Sequence, residues 1–298
     1  MALEFEPTEN GGRKAKQKIW SNGVFAELEI PSGRDPQQNA WLTLTLGYGL
    51  TFMDRHTPRS GGTNPNETIL VYSGSAWYAR DLDGYMFPIL NWDLRSIQLF
   101  HKKFRGGENI WNQRFQILTP ADYSELDYKS GAQTIRPNVL CLFRMESGTR
   151  NSWNFNVVRL DPTVTEVWHE SNGKRKPFRY PLGFRTNEGT LADCDWRTNV
   201  LGHELGHALG LDHILALKGD PQCKIDDNAK RCYGETPEEL LNIMGEGRDI
   251  TLINSAPWRS HLGKFTQQNM GKWSMVLMTG PNSKPLPPTK ISGKLKRR

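Results

Sequence analysis

Residues 203–213 read H-E-L-G-H-A-L-G-L-D-H, and the spacing within this run dictates how the chain must fold around it. His203 and His207 are four residues apart, so on an α-helix both imidazoles leave the same face one turn apart and can hold a single ion. The pattern therefore predicts a helix that is itself a bidentate ligand. Glu204 follows the first histidine directly, so its carboxylate can reach a water on the ion without ligating, as a general base requires. Gly210 accepts the left-handed conformation that ends a helix, and the turn it makes can return His213 as a third ligand. Three neutral imidazoles at tetrahedral angles favour Zn2+, with an open fourth position for a water of lowered pKa; the chemistry expected is hydrolysis. Five specified residue types at fixed offsets arise by chance in about one chain of this length in ten thousand, which makes the run far more specific than a bare H-E-x-x-H.

The pattern H-E-x-x-H-x-x-G-x-x-H resembles the signature of the metzincin zinc metalloproteases, which also carry a methionine turn beneath the metal. In L-N-I-M-G-E-G, Met244 lies 31 residues after His213 with Gly245 and Gly247 beside it, and it is identified with that turn. Met270, Met275 and Met278 stand in less turn-like surroundings. The resemblance implies an α+β, two-lobed fold. Its N-terminal lobe would hold a twisted mixed sheet with helices, and its loop-rich C-terminal lobe the Met-turn and a final helix. It further implies one catalytic zinc on His203, His207 and His213, Glu204 as catalytic base, Met244 as an apolar floor, and a protein or peptide substrate. The likeness is specific over residues 193–247 and elsewhere extends only to the order of elements. Glu246 stands two residues after Met244, where some subfamilies carry a tyrosine. No cysteine-switch motif precedes the run and no glycine-rich calcium repeats follow it, so no subfamily is assigned.

With 298 residues and 37% hydrophobic content the chain can bury a full core. The organisation expected is a disordered lead-in over 1–18, a catalytic domain over 19–280 and a basic, proline-containing tail over 281–298. The domain would divide into an upper lobe, 19–212, and a lower lobe, 213–280. The net charge of +6 is matched by six cations in the tail, Lys284, Lys290, Lys294, Lys296, Arg297 and Arg298, leaving residues 1–280 formally neutral. Such a tail reads as a solvated appendage that could touch nucleic acid or an anionic surface. A rival reading follows, a non-catalytic zinc protein binding through that tail. Structural zinc sites are closed by four ligands, often cysteines, and this run supplies three histidines.

No stretch is long and apolar enough for a transmembrane segment, and Met1 to Ser21 lacks the apolar centre of a secretory signal. The expectation is a soluble protein, secreted or translocated without a cleaved N-terminal signal, or else cytoplasmic. A bacterial toxin or effector delivered whole would suit this, with an inhibitor or immunity protein as a further partner. Cys223 and Cys232 are close enough in sequence for a disulfide, although two free thiols remain open at this level. Cys141, inside V-L-C-L-F, reads as a buried inert thiol, and Cys194 is flanked by acids that disfavour a thiolate.

Period-two alternation predicts a strand over 39–52, and further strands are expected at 68–72, 139–144, 153–160 and 165–169. Residues 53–67 read as a loop. A core-facing helix is expected over 91–104, capped by Asn91, with Leu94, Ile97, Phe100 and Phe104 on one face. A last helix over 256–268 would bury Trp258, Leu262 and Phe265, and K-W-S-M-V-L-M would close the fold as a strand. His56, His101, His169 and His261 have no partner at ligand spacing and read as solvated or structural. The acids from Asp220 to Asp227 match no calcium-loop spacing, so Ca2+ is not expected.

Overall fold

The computed structural model describes residues 4–15, 19–21, 23–53, 70–73, 76–81, 84–148, 153–179, 190–193, 200–226, 229–279 and 283–291. Beyond Met53 the expected loop over 53–67 falls outside these residues, as do His56, Cys194, Asp227 and the cations from Lys294 onward. The chain is mixed α+β and built largely of open sheets. It begins with β1 (Phe5–Pro7), β2 (Arg13–Ala15), β3 (Ile19–Ser21), β4 (Val24–Ile30), β5 (Ala40–Met53), β6 (Leu70–Ser73), β7 (Ala76–Arg80) and β8 (Tyr85–Pro88). Helices α1 (Leu94–Arg105) and α2 (Glu108–Trp111) precede β9 (Phe115–Leu118), β10 (Tyr128–Ser130), β11 (Gln133–Arg136) and β12 (Val139–Ser147). Next come β13 (Trp153–Val158), β14 (Glu166–His169), β15 (Arg175–Pro177) and β16 (Thr190–Ala192). Helix α3 (Val200–Ala208) carries the first two histidines of the run. The short helices α4 (Ile214–Leu217), α5 (Pro221–Ile225) and α6 (Pro237–Leu241) follow, then α7 (Ala256–Thr266), β17 (Ser274–Leu277) and β18 (Thr289–Ile291).

Two compact units result, one of residues 1–47, 108–146 and 206–298, the other of 48–107 and 147–205. Each is assembled from separated segments, because the chain passes from one to the other within β5, between α1 and α2, near the end of β12 and within α3. This interleaving differs from the consecutive lobes, 19–212 and 213–280, that the order of motifs suggested.

In the first unit the alternation of V-F-A-E-L-E-I buries Val24, Ala26, Leu28 and Ile30, and β4 pairs antiparallel with β5, whose Ala40, Leu42, Leu44 and Leu46 are also buried. β12 neighbours β5, and β9 pairs antiparallel with both β12 and β17. Helix α7 buries Trp258, Leu262 and Phe265 as its spacing predicts. The Trp258 indole N–H donates to the Leu142 carbonyl at 3.0 Å, and its ring lies 5.4 Å from that of Phe115. Cys141 is buried and free, and burial pushes its thiol pKa up, in keeping with an inert residue.

The lead-in is not disordered over its described part. β1 and β2 form an antiparallel hairpin, and β2 pairs with β4. The turn uses Gly11 at φ 78°, with the Thr8 hydroxyl accepting from the Gly12 N–H at 2.9 Å. This hairpin is held by its backbone ladder and by polar contacts such as Lys14 to Glu27 at 2.6 Å, so it leaves no apolar periodicity to read.

In the second unit the end of β5 pairs in parallel with β13, which pairs in parallel with β16. Strands β15, β14, β8, β7 and β6 form an antiparallel sheet over a core that includes Met53, Phe87, Val158 and Val167. Helix α1 is capped two residues later than predicted. Its cap is Asp93, whose carboxylate accepts from the Ser96 N–H at 2.8 Å and hydroxyl at 3.0 Å. Phe100 and Phe104 are buried, with Phe104 against Tyr48 and Phe155, but Leu94 in the first turn is 71% exposed and does not face the core.

Residues 283–291 are not a solvated appendage either. β18 pairs antiparallel with β11, and three buried amide side chains grip the backbone just before it. Gln116 donates to the Leu286 carbonyl and accepts from the Leu286 N–H, both at 2.8 Å. Asn39 donates to the same carbonyl at 2.8 Å and Asn138 to that of Pro287 at 3.0 Å. Removing the chain from residue 283 onward is therefore expected to lower the unfolding free energy by at least about 2 kcal/mol, since buried amides lose their partners. Urea denaturation of the truncated and full chains measures it; equal midpoints and slopes would show the strap to be dispensable.

Candidate metal centre

Helix α3 ends as its sequence predicts. Gly210 adopts φ 88°, its N–H donates to the His207 carbonyl at 2.8 Å, and the Leu211 N–H reaches back to the Gly206 carbonyl at 3.0 Å. The reversal brings His213 back toward the helix. One ring nitrogen from each of His203, His207 and His213 then lies within 4.8 Å of the other two, so the three can hold a metal ion. Among the described residues no other group of three such side chains converges.

The geometry within the cluster is specific. Nδ1 of His207 lies 2.8 Å from the Leu211 carbonyl, which can only accept, so Nδ1 carries the proton and Nε2 keeps its lone pair. That Nε2 lies 3.3 Å from Nε2 of His213. Two nitrogens bound to one tetrahedral ion at 2.0–2.1 Å stand about 3.3–3.4 Å apart, so this pair already has the spacing of a shared ligand shell. His203 and His213 are buried, while His207 and Glu204 are half-buried. The acceptor that orients His207 is a main-chain carbonyl rather than the carboxylate of Asp212, which is exposed.

Beneath the helix lies Met244, fully buried. A Cβ on Gly206, the residue before His207, would stand 2.3 Å from the Met244 sulfur and 3.1 Å from the Trp111 ring. The glycine leaves room for that sulfur. The Met244 carbonyl accepts from the Ile214 N–H at 3.0 Å, tying the turn to the residue after His213. The turn is locked by a pair of buried amides: Asn242 Oδ1 accepts from the Met244 N–H at 2.8 Å and from Asn254 Nδ2 at 3.1 Å, while Asn242 Nδ2 donates to Asn254 Oδ1 at 3.0 Å. Gly245 and Gly247 pass so close to neighbouring carbonyls that any Cβ there would lie within 2.5 Å of one.

Glu239 joins the two halves of the arrangement. It accepts from Lys218 at 2.5 Å, at the C-terminal end of α4, and from the N–H groups of Glu235 and Thr236 at 2.9 Å each, at the start of α6. The Lys218 hydrogen bond, followed by those two backbone donors, pulls its pKa down to about 2. Cys223 and Cys232 are disulfide-bonded in an apolar cluster with Leu215 and Ala216 of α4. Tyr233, next after Cys232, lays its ring 3.8 Å from that of His213.

Gly206, Glu239, the Asn242–Asn254 pair and Tyr233 are site residues that the sequence reading missed. A glycine inside a helical pattern signals close approach and could have flagged Gly206; nothing local marks Tyr233. The other described histidines serve elsewhere: His101 packs on Phe52, His169 accepts from the Ser171 N–H, and the buried His261 lies 2.8 Å from the Pro257 carbonyl. Asp220 caps α5 and pairs with Arg231, so its carboxylate is used in structure. No family model, curated protein or solved structure matches this chain.

Substituting Gly206→Ala should expel the Met244 sulfur and cost about 1–3 kcal/mol, the usual effect of overpacking. Thermal unfolding with and without metal measures it, and an unchanged midpoint would remove Met244 from its place under the helix. Folding lowers the Glu239 pKa, so its stabilisation is complete above its unfolded value near 4.3 and is lost as pH falls toward 2. Denaturation of wild type and Glu239→Gln is therefore expected to differ most above about pH 5 and to converge in acid. A gap that widens on acidification would contradict the assigned charge.

Proposed function

We propose that the chain is a zinc-dependent endopeptidase of metzincin type, with His203, His207 and His213 as ligands and Glu204 as general base. The observation that carries this reading is the convergence of three imidazoles on a helix whose next residue after the first ligand is a glutamate. The 3.3 Å spacing of His207 and His213 suits tetrahedral zinc, and the absence of thiolate from the set suits a catalytic rather than a closed structural ion. The left-handed Gly210 and the place of Met244 against Gly206 support the resemblance to metzincins, including a Met-turn.

A bound zinc would supply the Lewis acidity that polarises a peptide carbonyl and lowers the pKa of water. The chain's own groups do the rest. His207, with Nδ1–H fixed on the Leu211 carbonyl, presents Nε2 in the ligating tautomer. Glu204 takes the proton from the attacking water and delivers it to the departing amine. Met244 contacts no substrate and keeps the ligand helix from settling toward the interior. No helix among the described residues is long and apolar enough to cross a membrane. The Cys223–Cys232 bridge supports a role outside a reducing compartment, as for a secreted protease or a delivered bacterial toxin or effector.

Elemental analysis of protein purified without chelators should find one zinc per chain, lost in His→Ala variants. Glu204→Gln should keep the fold and the metal but lower peptide hydrolysis at least about a hundredfold. Near-normal turnover in that variant, or a wild-type chain that takes up no stoichiometric zinc, would defeat the proposal.

A further inference from the structure

Residues 213–226 and 229–234 follow a path that returns to its own start. Helix α4 begins directly after His213, and its buried Leu215 and Ala216 seat the disulfide between Cys223 and Cys232. Tyr233 follows Cys232 at the end of a 3-10 turn, Lys230–Tyr233, and its ring comes back onto His213, centroids 3.8 Å apart and planes inclined by 37°. The backbone on either side is confined. Gly234 sits at φ 136°, where a Cβ would come within 2.8 Å of the Glu239 Cβ, and the Tyr233 carbonyl lies 2.5 Å from where Gly245 would carry one. Arg231, two residues earlier, is paired with Asp220 at 2.7 Å.

A histidine's ring plane is set by a broad, two-fold torsion, so the fold must supply the contact that orients it. For His207 that contact is the Leu211 carbonyl. We infer that for His213 it is Tyr233, a positioning residue of the metal centre whose ring, seated by the Cys223–Cys232 disulfide, holds the third imidazole in its ligating orientation. The inference rests on the proposal that the three histidines bind zinc. An aromatic face in contact with the ligand ring blocks its rotation and excludes water from that side. The disulfide fixes the preceding residue, which limits how far the tyrosine backbone can swing. A flat ring is needed for this and the phenol hydroxyl is not.

The test is zinc affinity, measured on the full chain by competition with a chromophoric chelator, in Tyr233→Phe, Tyr233→Leu, Tyr233→Ala and the double variant Cys223→Ser, Cys232→Ser. Phe should bind within about threefold of wild type. Leu and Ala should bind at least about tenfold more weakly, the range found when a group that orients a metal ligand is removed. The double variant should fall between. The absorption spectrum of the cobalt(II)-loaded protein, which reports ligand geometry, should be unchanged in Phe and altered in Leu. Should the Ala variant fail to fold, the comparison of Phe with Leu decides. Wild-type affinity and spectrum in Leu, or binding by Phe as weak as by Leu, would overturn the inference while leaving the zinc proposal intact. Wild-type affinity in the double variant would overturn the part given to the disulfide, and a wild-type chain that binds no zinc would overturn both proposals together.

Discussion

Between His203 and His207 the helix carries a glycine, and the sulfur of Met244 fills the space where a methyl would be. A helix that offers two imidazoles from one face has an opposite face that must be buried, and the depth of that burial sets where the imidazoles end. Gly206 lets the methionine sulfur approach to where any Cβ would clash with it, so the turn's side chain packs directly on the helix backbone. The Met244 carbonyl then holds the Ile214 N–H, so the same turn that limits the helix also limits the residue after the third histidine. One buried residue, through its side chain and its carbonyl, thereby restrains two separate stretches of chain that carry the histidines.

That turn is held mainly by directed polar contacts. The paired amides of Asn242 and Asn254 satisfy each other and the Met244 N–H inside a buried site, where an unmatched partner would be costly. Gly245 and Gly247 admit carbonyls at distances no other residue tolerates. Glu239 spans from Lys218, at the end of the helix after His213, to the first turn of the helix before Met244, and its lowered pKa expresses how strongly those donors favour the charged form. Apolar burial alone would permit several packings of similar energy; hydrogen bonds with fixed partners select one.

The run 203–213 was legible because each of its elements is local. A four-residue spacing defines a helix face, and a glycine three residues after His207 marks the helix end, so the paired histidines, the left-handed Gly210 and the return of His213 could be read without knowing the rest of the chain. The strand β5 and the face of α7 declared themselves by period. The hairpin of β1 and β2 and the strap of residues 283–291 did not, because what holds them is backbone pairing and amide side chains on distant strands. Gln116 and Leu286 are 170 residues apart, and no local pattern connects them. The strap misled for a further reason: Lys284 and Lys290 and the prolines between them resemble a solvated linker, yet Leu286 reaches the interior through its main chain. Tyr233 was invisible because its role depends on a disulfide that sequence left open and on a turn ending at Gly234.

The segment from His213 to Ser255 contains helices of only four and five residues, far below the length at which a helix stands alone in water. Two of them, and the short turn before α7, are secured at their starts. Asp220 caps α5, with the Cys223 N–H the chief reason its pKa is lowered; Thr236 and Glu239 cap α6 reciprocally; and Thr251 and Asn254 do the same for the short turn before α7. Several of these capping groups serve the cluster as well. Glu239 is both a capping residue and the partner of Lys218, and Asn254 is both a capping residue and the partner of Asn242. Because the same side chains end helices and brace the turn under His203 and His207, this stretch should order as a unit, and loss of any one contact should be felt at the histidines before it is felt in the sheets.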